Sequence, residues 1–385
     1  MSQAKKIKII ISIVCISFLQ GLQYTVSPVL NQIQEHYPKV DVSLVQMLIT
    51  APSLLAMIIA VISGWLVIKI SKKKLLLFAS LVAGISGIIP FFADSFGLWL
   101  FSRVFFGVAL GLATALNTAV VADFFEGEER VAAMGIQAAS VGAGMFVETT
   151  LSGFLGNYGF IYVNFVHSIG FISMILLALL LPDTGKVKAG NNKILLNKKV
   201  FYISFLGALE FLFLISFTTN ISMHLSGSLA GSASVSGILT GIFSGSQILM
   251  GLLLGYITRI TRKHTLPIAM LSFAFGAILL ILFSSNMVML MIGAVFCGFS
   301  QGMFIPQAMC EITNAVDPIS TAMAAACFTC AMCIGQLISP TVLNTLSQLI
   351  FKDVTTSHVY LLSAIFMTVI AVVVMFLTDR KKANG

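Results

Sequence analysis

IIAVISGWLVIKISKKKLLLFASLVAGISGIIP, residues 58–90, consists of two apolar runs joined by a short turn that carries Lys69, Lys72, Lys73 and Lys74. Followed outward, each run reaches roughly 20 residues or more, enough to cross a hydrocarbon core about 30 Å thick as a helix. Such a segment must be helical, because lipid offers nothing to its backbone N–H and C=O groups. The pattern recurs along the chain, with apolar stretches beginning near Ile7, Leu44, Leu75, Gly97, Val131, Phe160, Val200, Ser234, Leu266, Met287, Thr321 and Val359. Their spacing predicts an all-α membrane protein with twelve transmembrane helices.

The charges give the orientation. Nineteen of the 22 Lys and Arg residues fall in every second gap between the stretches. Lys5, Lys6 and Lys8 precede span 1, Lys69 and Lys72 to Lys74 follow span 2, and Arg130 follows span 4. Lys186, Lys188, Lys193, Lys198 and Lys199 fill the central connection; Arg259, Arg262 and Lys263 follow span 8, and Arg380 to Lys382 end the chain. The other gaps hold only Lys39 and Lys352, and Arg103 lies inside span 4. Positive charge stays on the cytoplasmic side, which predicts a plasma-membrane protein with both termini inside and an even number of spans.

A hydrophobic fraction of 58% with 9% charged residues excludes an ordinary soluble domain, in which about a quarter of residues are charged. The net charge of +8 is scattered over short connections, so it is assigned to topology and anionic lipid and not to nucleic acid. The basic start followed by an apolar run mimics a signal peptide but lacks a clear small-residue cleavage site, and is read as a retained first helix. Cys327, Cys330 and Cys333 form a C-x2-C-x2-C run. On a helix they would follow one stripe instead of surrounding an ion, so helix packing is favoured over metal binding. Neither a metal nor a cofactor is expected.

A shift of 191 residues superposes Gly64 on Gly255, Gly107 and Gly111 on Gly298 and Gly302, and Gly144 on Gly335. Matches at corresponding depths predict a duplicated unit: two pseudo-symmetric six-helix bundles, residues 1–182 and 200–385, joined by a polar cytoplasmic linker over 183–199. Such a pair suits a transporter that alternates access to a midplane site.

These residues also carry a resemblance. Over essentially its whole length the chain resembles the major facilitator superfamily, and within it the short twelve-span drug exporters driven by proton antiport. The family motif after span 2, G-x-L-x-D-[RK]-x-G-[RK]-[RK], is matched by Gly64, Leu66, Lys69, Lys72 and Lys73, with Ile68 in place of the Asp and Ser71 in place of the Gly. In relatives that Asp helps lock a cytoplasmic gate, so the lock here must be weaker or made otherwise. The second copy, GYITRITRKH, has Arg259 at the matching position. Span 4 keeps R-x3-G-x3-G as Arg103, Gly107 and Gly111; the resemblance implies a cavity-facing Arg tied to proton coupling. The exporter motif of span 5 survives as Gly135, Gly144 and Gly153, but Glu148 and Thr149 replace its Gly-Pro pair and Ser152 a Gly.

Three carboxylates lie within predicted spans: Glu148, Glu210 and Glu311. A charge at a helix centre costs about 2.5–3.5 kcal/mol on insertion scales, so each must face protein or water. Such groups are candidates for proton coupling, against the alternatives of a hydrogen-bonded structural Glu for Glu210 and a solvated one for Glu311. Arg103 and Glu148 agree in depth within about 5 Å by helical rise, which predicts an ion pair, static or broken during transport. Polar residues within spans suggest a cavity. By resemblance, spans 1, 4, 7 and 10 line it, which favours Gln20, Gln23, Tyr24, Asn117, Asn220, Gln301 and Gln307 as substrate contacts over Gln137, Asn164, His167, His224, Gln247 and Gln336. Gly64, Lys69, Lys72 and Lys73 are assigned to a gating loop.

The expected function is proton-coupled efflux of a small organic molecule, with proton-coupled uptake as the alternative because the span 5 motif is broken. An intramembrane enzyme is disfavoured, since no nucleophile and base at matched depth are visible in the sequence. By resemblance the protein works as a monomer.

Overall fold

The computed structural model describes residues 3–186, 196–317 and 320–383. Every regular element among them is helical. Among the described residues ten helical runs are long and apolar enough to cross a membrane. One of them, Ala233–Leu282, contains two helices, α11 (Ala233–Thr261) and α12 (Thr265–Leu282), joined by a short 3-10 turn. The helix in the place of span 5 is α7 (Gly127–Gly156), 30 residues long. The outer surface is apolar, unlike that of a soluble protein. Large apolar side chains such as Leu179, Leu252 and Ile260 are exposed, while Ser80, Asn117, Thr240 and Ser300 are buried. Several buried hydroxyls donate to carbonyls one turn back in their own helix, as with Ser80 to Leu76 at 2.9 Å and Thr240 to Ser236 at 2.8 Å.

The chain divides into two compact units, residues 1–26 with 47–193 and residues 27–46 with 194–385. The first contains α1 (Gln3–Gly21), α4 (Pro52–Lys69), α5 (Lys72–Ile88), α6 (Phe96–Phe124), α7 and α8 (Ile169–Leu180). In it α4 and α5 pack on α6, α1 packs on α7, and α5 packs on α8, around a core that includes Ile13, Leu76, Phe106 and Val121. The last residues of α3 (Val42–Thr50) also belong here.

The second unit contains α9 (Lys198–Leu214), α10 (Ser216–His224), α11, α12, α13 (Met287–Thr313), α14 (Thr321–Phe351) and α15 (Thr356–Ala383). It also takes in α2 (Leu30–His36) and the first turn of α3. Its contacts repeat those of the first: α11 and α12 pack on α13, α9 on α14, and α12 on α15. Caps mark its helix starts. Asn197 accepts from the Val200 N–H at 3.0 Å, and Asn286 accepts from Val288 and Met289 at 3.1 and 3.2 Å.

The glycine repeat has a physical cause. A Cβ on Gly107 would lie 2.3 Å from the Pro52 carbonyl oxygen, and one on Gly111 2.6 Å from that of Ala56. In the second unit the equivalents are Gly298 against the Phe243 oxygen at 2.1 Å and Gly302 against the Gln247 oxygen at 2.4 Å. Both partners of each contact are offset by 191 residues. Backbone meets backbone at these crossings, which only glycine permits. Gly64 and Gly255, by contrast, face open space.

Substituting Ala for Gly107 or Gly298 should therefore destabilise by about 1–3 kcal/mol, as overpacking does, while Gly64→Ala and Gly255→Ala leave stability unchanged. Thermal unfolding in detergent measures this. Equal melting temperatures for all four variants would contradict the assignment.

Candidate functional site

In the first unit the site is built around carbonyls that prolines set free. A helical residue's carbonyl normally accepts from the N–H four residues on, and proline has none. Pro52 thus leaves the Leu48 carbonyl open, and Pro90 leaves that of Ser86 open. Two adjacent residues of α6 fill the gaps. Arg103 Nε donates to Leu48 O at 2.8 Å, and Ser102 Oγ donates to Ser86 O at 2.6 Å. Span 1 supplies more acceptors where α1 gives way to a 3-10 turn over Leu22–Tyr24. There Arg103 Nη2 reaches the carbonyls of Gln23 and Leu22. Its Nη1 lies 3.1 Å from His167 Nε2. A guanidinium only donates, so Nε2 accepts and the ring proton sits on Nδ1. That nitrogen meets the Ala83 carbonyl at 3.1 Å and Ser86 Oγ at 3.0 Å.

Arg103 is buried, yet the ion pair expected from its depth is not made. Glu148 is also buried, and neither of its carboxyl oxygens has a hydrogen-bond partner. Its carboxylate lies against α1, where a Cβ on Gly21 would come within 2.3 Å of Oε2. Matched depth along two helices left their facing directions undetermined, and α7 turns Glu148 toward Gly21.

In the second unit Glu210 is buried, and Oε1 accepts from Ser300 Oγ at 2.6 Å while Oε2 has no partner. Close helix contacts fix its surroundings. A Cβ on Gly335 would lie 2.0 Å from the Ala208 oxygen, and one on Gly207 2.5 Å from the Phe328 ring. Gln301 is buried beside Ser300 on α13. Gln336, beside Gly335, has an unpartnered Nε2. Glu311 is partly exposed, accepts from Gln307 Nε2 at 3.1 Å, and lies 3.8 Å from Lys199 Nζ.

Of the expected substrate contacts, Gln20 and Asn117 keep open capacity: Gln20 Nε2 and Asn117 Oδ1 are unpartnered, with Asn117 Nδ2 donating to Ser17 at 2.9 Å. Gln23 Nε2 is used by Ile49 O and Ser53 Oγ at 3.2 and 3.3 Å. Tyr24 lies in the 3-10 turn. Asn220 enters a buried amide chain: Gln46 Nε2 donates to its Oδ1 at 2.8 Å, and Asn344 Nδ2 donates to Gln46 Oε1 at 2.8 Å. Its own Nδ2 goes to Ser216 O at 2.9 Å.

The loop after span 2 lacks the motif Asp and is held by other polar contacts. Lys72 Nζ meets both oxygens of Asp123, at the end of α6, at 2.6 and 2.7 Å. Ser71 Oγ donates to Asp183 at 3.0 Å, and Lys73 Nζ to the Ala178 carbonyl at 2.7 Å. Lys69 sits over the Trp65 ring at 3.9 Å, and Gly64 makes no close contact.

The family model of the Major Facilitator Superfamily matches residues 10–219 and again residues 203–385. The chain belongs to this superfamily of secondary transporters, and is a multi-pass membrane transporter and not an enzyme. By sequence, no curated protein matches it significantly. The nucleoside transporter NupG shares its fold with a TM-score of 0.78 at 15% identity, over 95% of this chain and 99% of that one. A bacterial homologue of the human lysosomal transporter Spinster, inward-facing and unoccupied, gives 0.74 at 17% identity, over 99% and 98%. The POT-family transporter PepTSo gives 0.77 at 11% identity, over 99% and 98%.

Lys72 and Asp123 expose 11% and 25% of their side chains, so their pairing should be worth more than a surface bridge. A double-mutant cycle of Lys72→Met and Asp123→Asn should return a coupling energy of about 1–3 kcal/mol in thermal or denaturant unfolding. Strict additivity would show that the pair does not hold the loop.

Proposed function

We propose that this protein exchanges protons for a small organic molecule by alternating access, as an exporter in the plasma membrane with both termini cytoplasmic. The observation that supports this most is a buried carboxyl group in each unit with no counter-ion among the described residues. Glu148 has no hydrogen bond at all, and Glu210 has Ser300 alone. An isolated carboxylate in such surroundings is costly, and taking up a proton removes the cost. Glu311, nearer an end of its helix and close to Lys199, is a third station open to water. Arg103 fixes the broken part of span 1 and so shapes the wall on which Gln20, Gln23 and Tyr24 sit. Gln20 and Asn117, each with an unpartnered polar atom, are proposed as cargo contacts of the first unit, and Gln301, Asn220 and Gln307 as those of the second. The halves 1–182 and 200–385 would rock about the linker 183–199, in which Lys188 and Lys193 lie outside the described residues. The loop with Gly64, Lys69, Lys72 and Lys73 would act as a gate, latched by Asp123. The protein is proposed to work as a monomer, without a cofactor.

Uptake is favoured by one observation: α7 runs unbroken past Glu148 and Thr149, where exporters carry Gly-Pro. The direction is separable in proteoliposomes. The compound giving the largest thermal stabilisation in a metabolite and drug screen serves as the probe, with the pH gradient imposed in either sense. Gradient-driven movement should fall at least tenfold in Glu210→Gln and in Glu148→Gln, while exchange of labelled for unlabelled probe persists. Gradient-driven movement that survives in the double variant would overturn proton coupling through these groups.

A further inference from the structure

The N-terminal ends of α1 and α5 and the C-terminal end of α8 lie at the same end of the first unit. Where they meet is a cavity of about 430 Å³ lined by Lys5, Lys8, Lys73, Leu179, Leu181 and Pro182. Its size falls within the roughly 300–1,000 Å³ of small-ligand clefts. Lys5 and Lys8 are exposed, and Lys73 is held half-buried by its bond to the Ala178 carbonyl. Among the described residues no carboxylate lines it. The nearest acid in sequence, Asp183, accepts from Ser71 Oγ and the Gly185 N–H, both at 3.0 Å, and is close enough to Lys73 and Lys74 to offset part of their charge, leaving Lys5 and Lys8 uncompensated among the lining lysines. Lys6 is already paired with Glu129 at 2.8 Å. Beyond the lysines the surface turns apolar, with Phe78 on α5 and Ile172, Ile175 and Leu179 on α8 all exposed.

The second unit provides an internal comparison. Its cavity of about 670 Å³ draws on the equivalent helices α9, α12 and α15 and includes Lys199, which is 191 residues beyond Lys8. There the charge is compensated. Glu311 lies 3.8 Å from Lys199, and Asp379 binds Lys263. One cavity is therefore basic and the other balanced, on matching helices.

The geometry points to a binding site in the first unit for the head group of an anionic glycerophospholipid, its phosphate among Lys5, Lys8 and Lys73 and its acyl chains along the exposed face of α5 and α8. Basic pockets between transmembrane helices recognise such head groups by charge, with the hydrocarbon adding contacts that a soluble phosphate lacks. Each lysine should contribute roughly fivefold in affinity, on the order of a hundredfold for three.

Native mass spectrometry of the purified full-length protein tests this, with phosphatidylglycerol and phosphatidylcholine offered in equal amounts. The wild type should retain phosphatidylglycerol preferentially, and Lys5→Gln/Lys8→Gln/Lys73→Gln should lower that affinity by about a hundredfold. Lys263→Gln should leave it unchanged, and soluble glycerol phosphate should not displace the lipid. If the triple variant does not fold, each single variant should still lose about fivefold. The proposal fails if the lysine variants bind phosphatidylglycerol as the wild type does, or if Lys263→Gln loses as much. It fails equally if phosphatidylcholine is held as tightly, or if glycerol phosphate competes and so marks a site for soluble phosphates.

Discussion

A guanidinium buried among transmembrane helices must find acceptors, and the first unit of this transporter supplies them by breaking its own helices. Pro52 withholds an N–H from the Leu48 carbonyl, and Arg103 donates to it at 2.8 Å. The 3-10 turn at Leu22–Tyr24 offers the carbonyls of Leu22 and Gln23 to the same side chain. The arrangement joins spans 1, 2, 3, 4 and 6, because His167 accepts from Arg103 Nη1 and passes the connection to Ala83 and Ser86 on α5. The second unit has Ala294 and Phe243 where the first has Arg103 and Pro52. The charged side chain and the proline are present together in one repeat and absent together from the other.

This placement leaves Glu148 without a counter-charge among the described residues. Had Arg103 turned to it, the two would form a buried pair, and such pairs are held in place by the penalty for removing either partner. With Arg103 occupied by backbone oxygens, the protonation proposed for Glu148 would not require an ion pair to break. Those contacts are close. The glycine crossings Gly107 on Pro52 and Gly298 on Phe243 bring backbones together in each unit, so the polar side chains are held on a rigid frame.

The architecture was legible because its signals are coarse and repeated. Long apolar runs report membrane-spanning helices, and the 191-residue offset of Gly107, Gly111, Gly298 and Gly302 reports equivalent crossings. Partner choice was less legible, because helical rise gives depth and says little about which neighbour a residue faces. Arg103 and Glu148 share a depth and still do not pair. Asp123 was missed as the partner of Lys72 because the family motif places its acid at position 68, which is Ile here, and the compensating acid sits on another helix. His167 stood among the polar residues of span 6, but nothing in sequence tied it to Arg103. One signal could have been used. A proline four residues after Leu48 marks an open carbonyl, and a lone buried Arg is the donor most in need of one. Ser300, the partner of Glu210, had no such mark, since serines are common throughout these spans.

The pairing of Arg103 with a proline-freed carbonyl is tested most directly by a double-mutant cycle of Arg103→Leu and Pro52→Ala, read in thermal unfolding. An alanine at position 52 restores the N–H that Leu48 lacks, so removing Arg103 should then cost about 1 kcal/mol less than in the wild-type background. Additive effects of the two substitutions would contradict the account.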